Sequence, residues 1–286
     1  MELSVEVFKD LTSYVYNLCG LEIKEEKLYL IRQRLAPVAK SFGCADLRDL
    51  HTKLKQDNNP KLRDEVLSAI TTNETSFFRD VHPFESFNDH IMPELTELVL
   101  QRKAKSHPRK GSKVRIWCAA SSYGQEPYSI AMQIHEYLNA NKGKRVVPED
   151  FSILATDISP YALSKAIAGE YSELEISRGL SEERRKKYFL KENDIWVTHE
   201  KIQTMVEFRI INLTGPFTML GGFDVIFCRN ILIYFDKETK VKILKQFHQM
   251  LAGDGLLALG ATENLYGLGV DFKSERNGKS VFYTRS

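Results

Sequence analysis

The sequence predicts an α/β protein: a small all-helical N-terminal domain, then a doubly wound, mostly parallel sheet that carries a small β insert. Three observations predict it. The first seventy residues show only helical periodicity. From Val114 onward, apolar strand-like runs alternate with helical stretches, as in a parallel sheet covered on both faces. Residues Val114–Met132, VRIWCAASSYGQEPYSIAM, read as strand, tight turn and helix in immediate succession.

In the helical region Phe8, Leu11, Val15 and Leu18 share a helix face, and Cys19-Gly20 supplies a stop. Leu28, Ile31, Leu35 and Val38 continue in a second helix, which Pro37 should bend or end. Leu47, Leu50 and Leu54 mark a third, and Leu62, Val66 and Ile70 a fourth, entered at Pro60. We therefore expect residues 1–80 to form the helical domain with its connector, and 81–286 the sheet domain. In the connector TTNETSFFRD (Thr71–Asp80), Asn73 suits a cap on the preceding helix, Thr75 or Ser76 a cap on the next, and Phe77-Phe78 the core.

The stretch Gln101–Lys113 is basic, lacks acidic residues and has no apolar period, so it reads as a solvated loop rather than an electrostatic patch. Strands are expected at Val114–Ala119, Ile153–Thr156, Val206–Ile211, Phe223–Cys228, Leu256–Gly260 and Val281–Thr284. Helices are expected at Pro127–Leu138, Pro160–Ala168 and Lys237–Leu251. The alternation breaks at about 171–205, where SEERRKKYF reads as helix and KENDIWVTHEK as a hairpin turning at Asn193-Asp194. That stretch is the insert.

The bulk composition excludes several classes. Hydrophobic residues make up 43% and charged residues 27%, so a packed soluble domain is expected. Apolar runs are too short to span a bilayer. The start, MELSVEVFKD, lacks a signal-peptide pattern, so a cytoplasmic location is expected. Cys19, Cys44, Cys118 and Cys228 are scattered without a CxxC pair and read as free buried thiols. The seven histidines show no metal-ligand spacing, and a net charge of +2 gives no nucleic-acid signature. With no heptad in view, a monomer is expected.

In a doubly wound sheet, ligands bind beyond the C-terminal ends of the strands. The turn after the first expected strand has one glycine, Gly124, where a dinucleotide fingerprint has three. A cofactor without a pyrophosphate removes that need, and S-adenosylmethionine is one. Its ammonium would suit Glu126, although Glu126 would equally complement the dipole of the following helix. Asp157 closes the second strand and suits two ribose hydroxyls, because Ser159, directly before Pro160, is the better N-cap. Asn212-Leu213 ends the third strand and suits either an adenine edge and face or a plain turn. Arg229-Asn230 ends a buried fourth strand, where a charge must be paired or face a cleft.

Together, NETSFFRD, AASSYGQEPYSIA, ATDIS and FCRNILIYFD with downstream GATEN resemble, in order and over nearly the whole chain, the CheR-type methyltransferases of bacterial chemotaxis. The resemblance implies a Rossmann-like S-adenosylmethionine methyltransferase domain. The reaction it implies is methylation of glutamate side chains on the cytoplasmic helical bundles of chemoreceptors, without direct membrane insertion. It further implies that Asn73, Thr75 and Arg79 contact the cofactor from the connector, Glu126 holds the methionine amino group and Asp157 the ribose. Asn212, Leu213, Arg229 and Asn230 would line the adenosine and methionine ends. A glutamate is already ionised at neutral pH, so catalysis needs no general base and rests on positioning, worth up to about 7–11 kcal/mol in good cases. Tyr234 is expected to orient the carboxylate, with core packing as its alternative. An arginine that some members carry further along has no secure counterpart in MPELTELVLQRK. Members that tether to a receptor tail peptide have a glycine-rich loop in the β insert. Leu180–Thr214 contains no glycine, so independence from that peptide is expected. A nicotinamide oxidoreductase would need the missing glycines, and a nucleic-acid methyltransferase a basic groove with aromatics. A non-catalytic receptor-binding module that kept the fold is the alternative: it predicts loss of Glu126, Asp157 or Arg229, all three are present, and an assay is what separates it.

Overall fold

The computed structural model describes residues 3–56, 59–105, 113–143 and 145–286; most of the basic stretch, 106–112, lies outside them. Helices α1 (Val5–Cys19), α2 (Leu28–Ser41), α3 (Leu47–Gln56) and α4 (Pro60–Ile70) pack around a core of their own, with Phe8, Leu11, Ile31, Leu35, Leu50 and Val66 at its centre. Ser4 caps α1 by accepting the Val7 N–H, and Gly20 closes it at φ 73. A side chain on Gly20 would also collide with Thr214, so the stop residue serves the domain contact as well. Of the two outcomes expected at Pro37, it does not end α2, which runs on to Ser41. Leu35, Val38 and Ala39 are buried around the proline, so packing compensates for the one backbone bond it forfeits.

Helices α5 (His82–Ser86) and α6 (Met92–Ala104), joined by a π-helical turn at Phe87–Ile91, lead into β1 (Val114–Ala119). The chain continues through α7 (Gln125–Ala140), β2 (Phe151–Asp157) and α8 (Pro160–Ala168). The insert follows: β3 (Glu170–Ser172), α9 (Glu173–Ser177), α10 (Glu182–Tyr188), β4 (Phe189–Glu192), β5 (Ile195–Thr198) and α11 (Glu200–Gln203). Then come β6 (Val206–Ile210), β7 (Phe223–Cys228), α12 (Lys237–Met250), β8 (Leu251–Leu259), β9 (Phe272–Asn277) and β10 (Ser280–Arg285).

The main sheet has the order β6-β2-β1-β7-β8-β10-β9. Its first five strands are parallel, and β10 runs antiparallel to both β8 and β9. The two-residue strand period assigns the faces. Ile116 and Cys118 join the core under α6 and α7, while Trp117 and Ala119 join the opposite core with Phe217, Phe223 and Phe247. Strand β9 was not expected. FKSERN is a largely exposed edge strand with no apolar alternation, and its one sequence signal is the Asn277-Gly278 turn into β10. The insert forms a separate sheet, β3-β5-β4, and its hairpin turns at Asn193 (φ 55) as expected. All four cysteines are free and buried. Among the described residues no helix is long and apolar enough to cross a membrane, and no cluster of metal ligands forms.

The helical domain docks on the C-terminal side of the sheet. The Tyr16 hydroxyl donates to Asp236 (2.7 Å), the Ser68 and Ser159 hydroxyls meet at 3.2 Å, and the Glu22 N–H donates to the Tyr234 carbonyl (3.1 Å). Asp236 is also the N-cap of α12. The Thr239 backbone N–H and the Tyr16 hydroxyl hold its carboxyl down to about 2. A depressed folded-state value contributes stability above the unfolded carboxylate's pKa, about 3.9, and loses it as pH falls toward the folded value. Tyr16→Phe should therefore destabilise the protein near neutrality by under about 1 kcal/mol, as the bond is exposed. The difference should vanish below pH of about 2. Urea unfolding of both proteins across that range checks this, and a pH-independent difference would refute it.

Candidate active site

A cavity opens beyond the C-terminal ends of the parallel strands; with the solvent at its mouth it spans about 1000 Å³. All ten residues singled out in the sequence line it: Asn73, Thr75 and Arg79 from the connector, Glu126 from α7, Asp157 from β2, Asn212 and Leu213 after β6, and Arg229, Asn230 and Tyr234 after β7. Cys19, Leu21 and Ile70 of the helical domain form another wall.

The turn after β1 is built from left-handed residues. Ala120 (φ 64), Ser122 (φ 51) and Gly124 (φ 91) all have positive φ, an arrangement disfavoured for the two that carry side chains. Cross-strand bonds hold it in place. The Ser121 N–H donates to the Thr156 carbonyl (2.8 Å), and the Ser122 N–H to the Asp157 carboxylate (2.8 Å). Gly124 is required twice, since a Cβ there would also press on Ala166 at 3.0 Å. Helix α7 starts at Gln125, so Glu126 sits in its first turn.

Asp157 is buried and accepts the Ser122 and Ser159 backbone N–H groups, one on each oxygen, which leaves each oxygen a lone pair. Burial pushes its pKa up, opposed by those donors. Ser159 is the N-cap of α8, as expected. Asn212 closes a turn, its Oδ1 accepting the Thr214 N–H (3.0 Å) and hydroxyl, while its Nδ2 donates to the Leu18 carbonyl (2.9 Å). Both ends of its amide are thus committed, and the turn reading describes its side chain.

Arg229 combines both of its readings. Its side chain is 1% exposed and is paired on three sides: with Glu126 (2.8 Å), with Asp80 (2.7 Å) and with the Arg79 carbonyl (2.9 Å). Burial raises the Glu126 pKa, and the Arg229 guanidinium opposes the rise. The connector it grips is irregular. Asn73 does not cap α4; its carbonyl instead accepts the Ser122 hydroxyl (3.0 Å). Neither Thr75 nor Ser76 caps a helix, because Phe78, Asp80 and Val81 take positive φ (49, 68 and 52) and α5 begins only at His82. Phe77 packs edge-on against Tyr171 and Phe189 of the insert, and a Cβ on Gly179 would collide with its carbonyl.

Sequence reasoning missed three contributors. Ser121 lines the cavity with a buried hydroxyl that has no partner among the described residues. Arg34 ties α2 to the connector through the Ile70 and Thr71 carbonyls (2.6 and 3.1 Å). Glu263 collects three backbone N–H groups from the loops after β7 and β8. The GATEN string pointed to Glu263; nothing local marked the other two.

Removing Arg229 would leave the buried Glu126 carboxylate without its partner. Arg229→Ala should destabilise the fold by about 3 kcal/mol. Arg229→Lys should recover part of this, since one ammonium cannot replace a fork that serves three acceptors. Gly179→Ala should also be destabilising, because it forces the Phe77 carbonyl and the connector to shift. Unfolding midpoints test all three, and an unchanged midpoint for Arg229→Ala would remove the structural role.

Comparison with known proteins bears on what such a cavity is for. Residues 73–280 match the family described as CheR methyltransferase, SAM binding domain, and residues 6–71 match CheR methyltransferase, all-alpha domain. The chemotaxis protein methyltransferase of Vibrio parahaemolyticus is 39% identical over 98% of this chain and 97% of its own length. Chemotaxis protein methyltransferase Cher2 of Pseudomonas putida is 37% identical over 96% of each chain. Chemotaxis protein methyltransferase 1 of Vibrio cholerae is 38% identical over 98% of this chain and 97% of its own. The chain belongs to the CheR methyltransferase family and is an S-adenosylmethionine-dependent methyltransferase.

Proposed function

We propose that this chain transfers the methyl group of S-adenosylmethionine to glutamate carboxylates on the cytoplasmic helical bundles of chemoreceptors, forming methyl esters. The observation that carries the reading is the convergence of the ten residues, the acidic Glu126 and Asp157 among them, from separate elements on one cavity. The cavity fits the cofactor chemically. Asp157 has acceptor capacity left for ribose hydroxyls, Glu126 offers a carboxylate to an ammonium, and the unpartnered Ser121 hydroxyl awaits a polar group.

When bound, the cofactor supplies an electrophilic methyl group on a cationic sulfur. The chain's own part is positional. Arg229 fixes Glu126, and the Ser122 and Ser159 amides fix Asp157. Asn73, Thr75 and Arg79 face the cofactor from the connector. Leu213, with the backbone of Asn212, lines the adenosine end, and Asn230 the methionine end. Leu21 and Ile70 shut water out from the helical-domain side. The substrate glutamate arrives ionised, so no base is called for. A phenol hydroxyl orients it better than a cation, which would stabilise the ground state, and the presence of Tyr234 on the cavity wall supports that role for it. The two-residue turn of the β4–β5 hairpin supports operation without a receptor tail peptide.

Titration calorimetry with S-adenosylhomocysteine tests the cofactor site. Asp157→Ala should lose at least about tenfold in affinity, the equivalent of one hydrogen bond to a charged group. Wild-type affinity should fall as pH drops into the acid range, because burial raises the Glu126 pKa and protonation removes the ammonium's partner. Glu126→Gln should flatten that dependence. A wild-type affinity independent of pH would exclude the Glu126 role. Saturable binding of a receptor tail peptide to the isolated enzyme would overturn independence from it.

A further inference from the structure

Glu263 lies outside the ten residues considered so far, on the loop after β8. Its carboxylate accepts the Asn230 N–H (2.8 Å) and the Gly260 N–H (2.7 Å) on one oxygen, and the Ile233 N–H (3.2 Å) on the other. One side chain thereby satisfies backbone donors at both ends of the turn Asn230–Ile233 and bolts that turn to the end of β8. The turn needs this support. Asn230 has φ 58, and a short 3-10 segment at Leu232–Tyr234 follows at once. Gly260 makes the seat possible, since a Cβ there would lie 2.7 Å from both the Glu263 Oε2 and the Asn230 Nδ2. The last residue of the braced segment is Tyr234, on the cavity wall.

We infer that Glu263 is a positioning residue for methyl transfer: by holding the Asn230–Ile233 turn, it sets where Tyr234 meets the incoming carboxylate. This rests on the reaction proposed above. Of the residues proposed to hold the cofactor, Asn230 lies on the braced turn, while Asp157, Glu126 and the connector lie on other elements, so the cofactor should still bind when the brace is removed. Displacement of the Tyr234 turn by a fraction of an ångström is then felt in turnover rather than in cofactor affinity.

Two readouts test this on the full-length protein. The first is steady-state methyl transfer to a cytoplasmic helical fragment of a chemoreceptor, with S-adenosylhomocysteine affinity measured alongside. Glu263→Gln should lower kcat by about tenfold to a hundredfold while the affinity changes by less than about threefold. Gly260→Ala, which crowds the Glu263 carboxylate and the Asn230 amide together, should also lower kcat. Equal losses in kcat and affinity, or no loss of kcat, would overturn the inference. The second is ¹⁹F NMR of 3-fluorotyrosine-labelled protein saturated with S-adenosylhomocysteine, with Tyr234→Phe assigning the Tyr234 line. Glu263→Gln should shift or broaden that line and leave the other tyrosine lines in place. An unmoved Tyr234 line also overturns it. If the wild type methylates no receptor fragment, the proposed reaction fails, and the NMR readout still decides whether Glu263 positions Tyr234.

Discussion

Arg229 is a cation held almost entirely out of water, and a buried guanidinium persists only where its charge is met. Its environment answers with a carboxylate from the first turn of α7, a carboxylate from the connector and a connector carbonyl. One side chain at the end of β7 therefore joins three otherwise separate pieces: the strand, the cofactor-side helix, and the chain leading in from the helical domain. The connector's succession of positive-φ residues is unfavourable locally and is kept in place by this grip. Without it, Glu126 would lose its buried partner and the Arg79-Asp80 end of the connector its anchor.

Around that centre, the cavity is assembled from loops that each satisfy their own backbone before any ligand arrives. Asp157 organises the turn after β1, the Asn212 side chain organises the turn after β6, and Glu263 organises the turns after β7 and β8. Three polar side chains thus do for these turns what glycines do in a dinucleotide site. The Asn212 amide also reaches the Leu18 carbonyl, so the same residue that shapes a sheet-domain turn receives the end of α1. Docking of the helical domain and shaping of the site are one set of contacts.

The insert enters through the same logic. Phe77 lies among Tyr171 and Phe189, with Gly179 against its carbonyl, while Arg184 stacks over the neighbouring Phe78. The connector is clamped between the insert on one side and the cavity on the other. A disturbance in the insert has a short mechanical route to Asn73 and Thr75.

Much was legible from the chain alone. Apolar period and capping residues located the four N-terminal helices and the parallel strands, because those signals are local and each element buries a face. The small-residue turn, ATDIS and the polar break after a buried strand marked the ligand side, because polar groups at strand ends have few other reasons to be there. What the sequence could not decide was which donors meet which acceptors. Whether Arg229 pairs or faces a ligand, whether Asn212 grips or turns, and whether Pro37 ends α2 depend on groups brought in from distant segments. The same holds for the wall made by Leu21 and Ile70, for Arg34 on the connector and for Glu263 beneath the Tyr234 turn. Those are long-range pairings, and only the packing of helical domain, sheet and insert sets their distances.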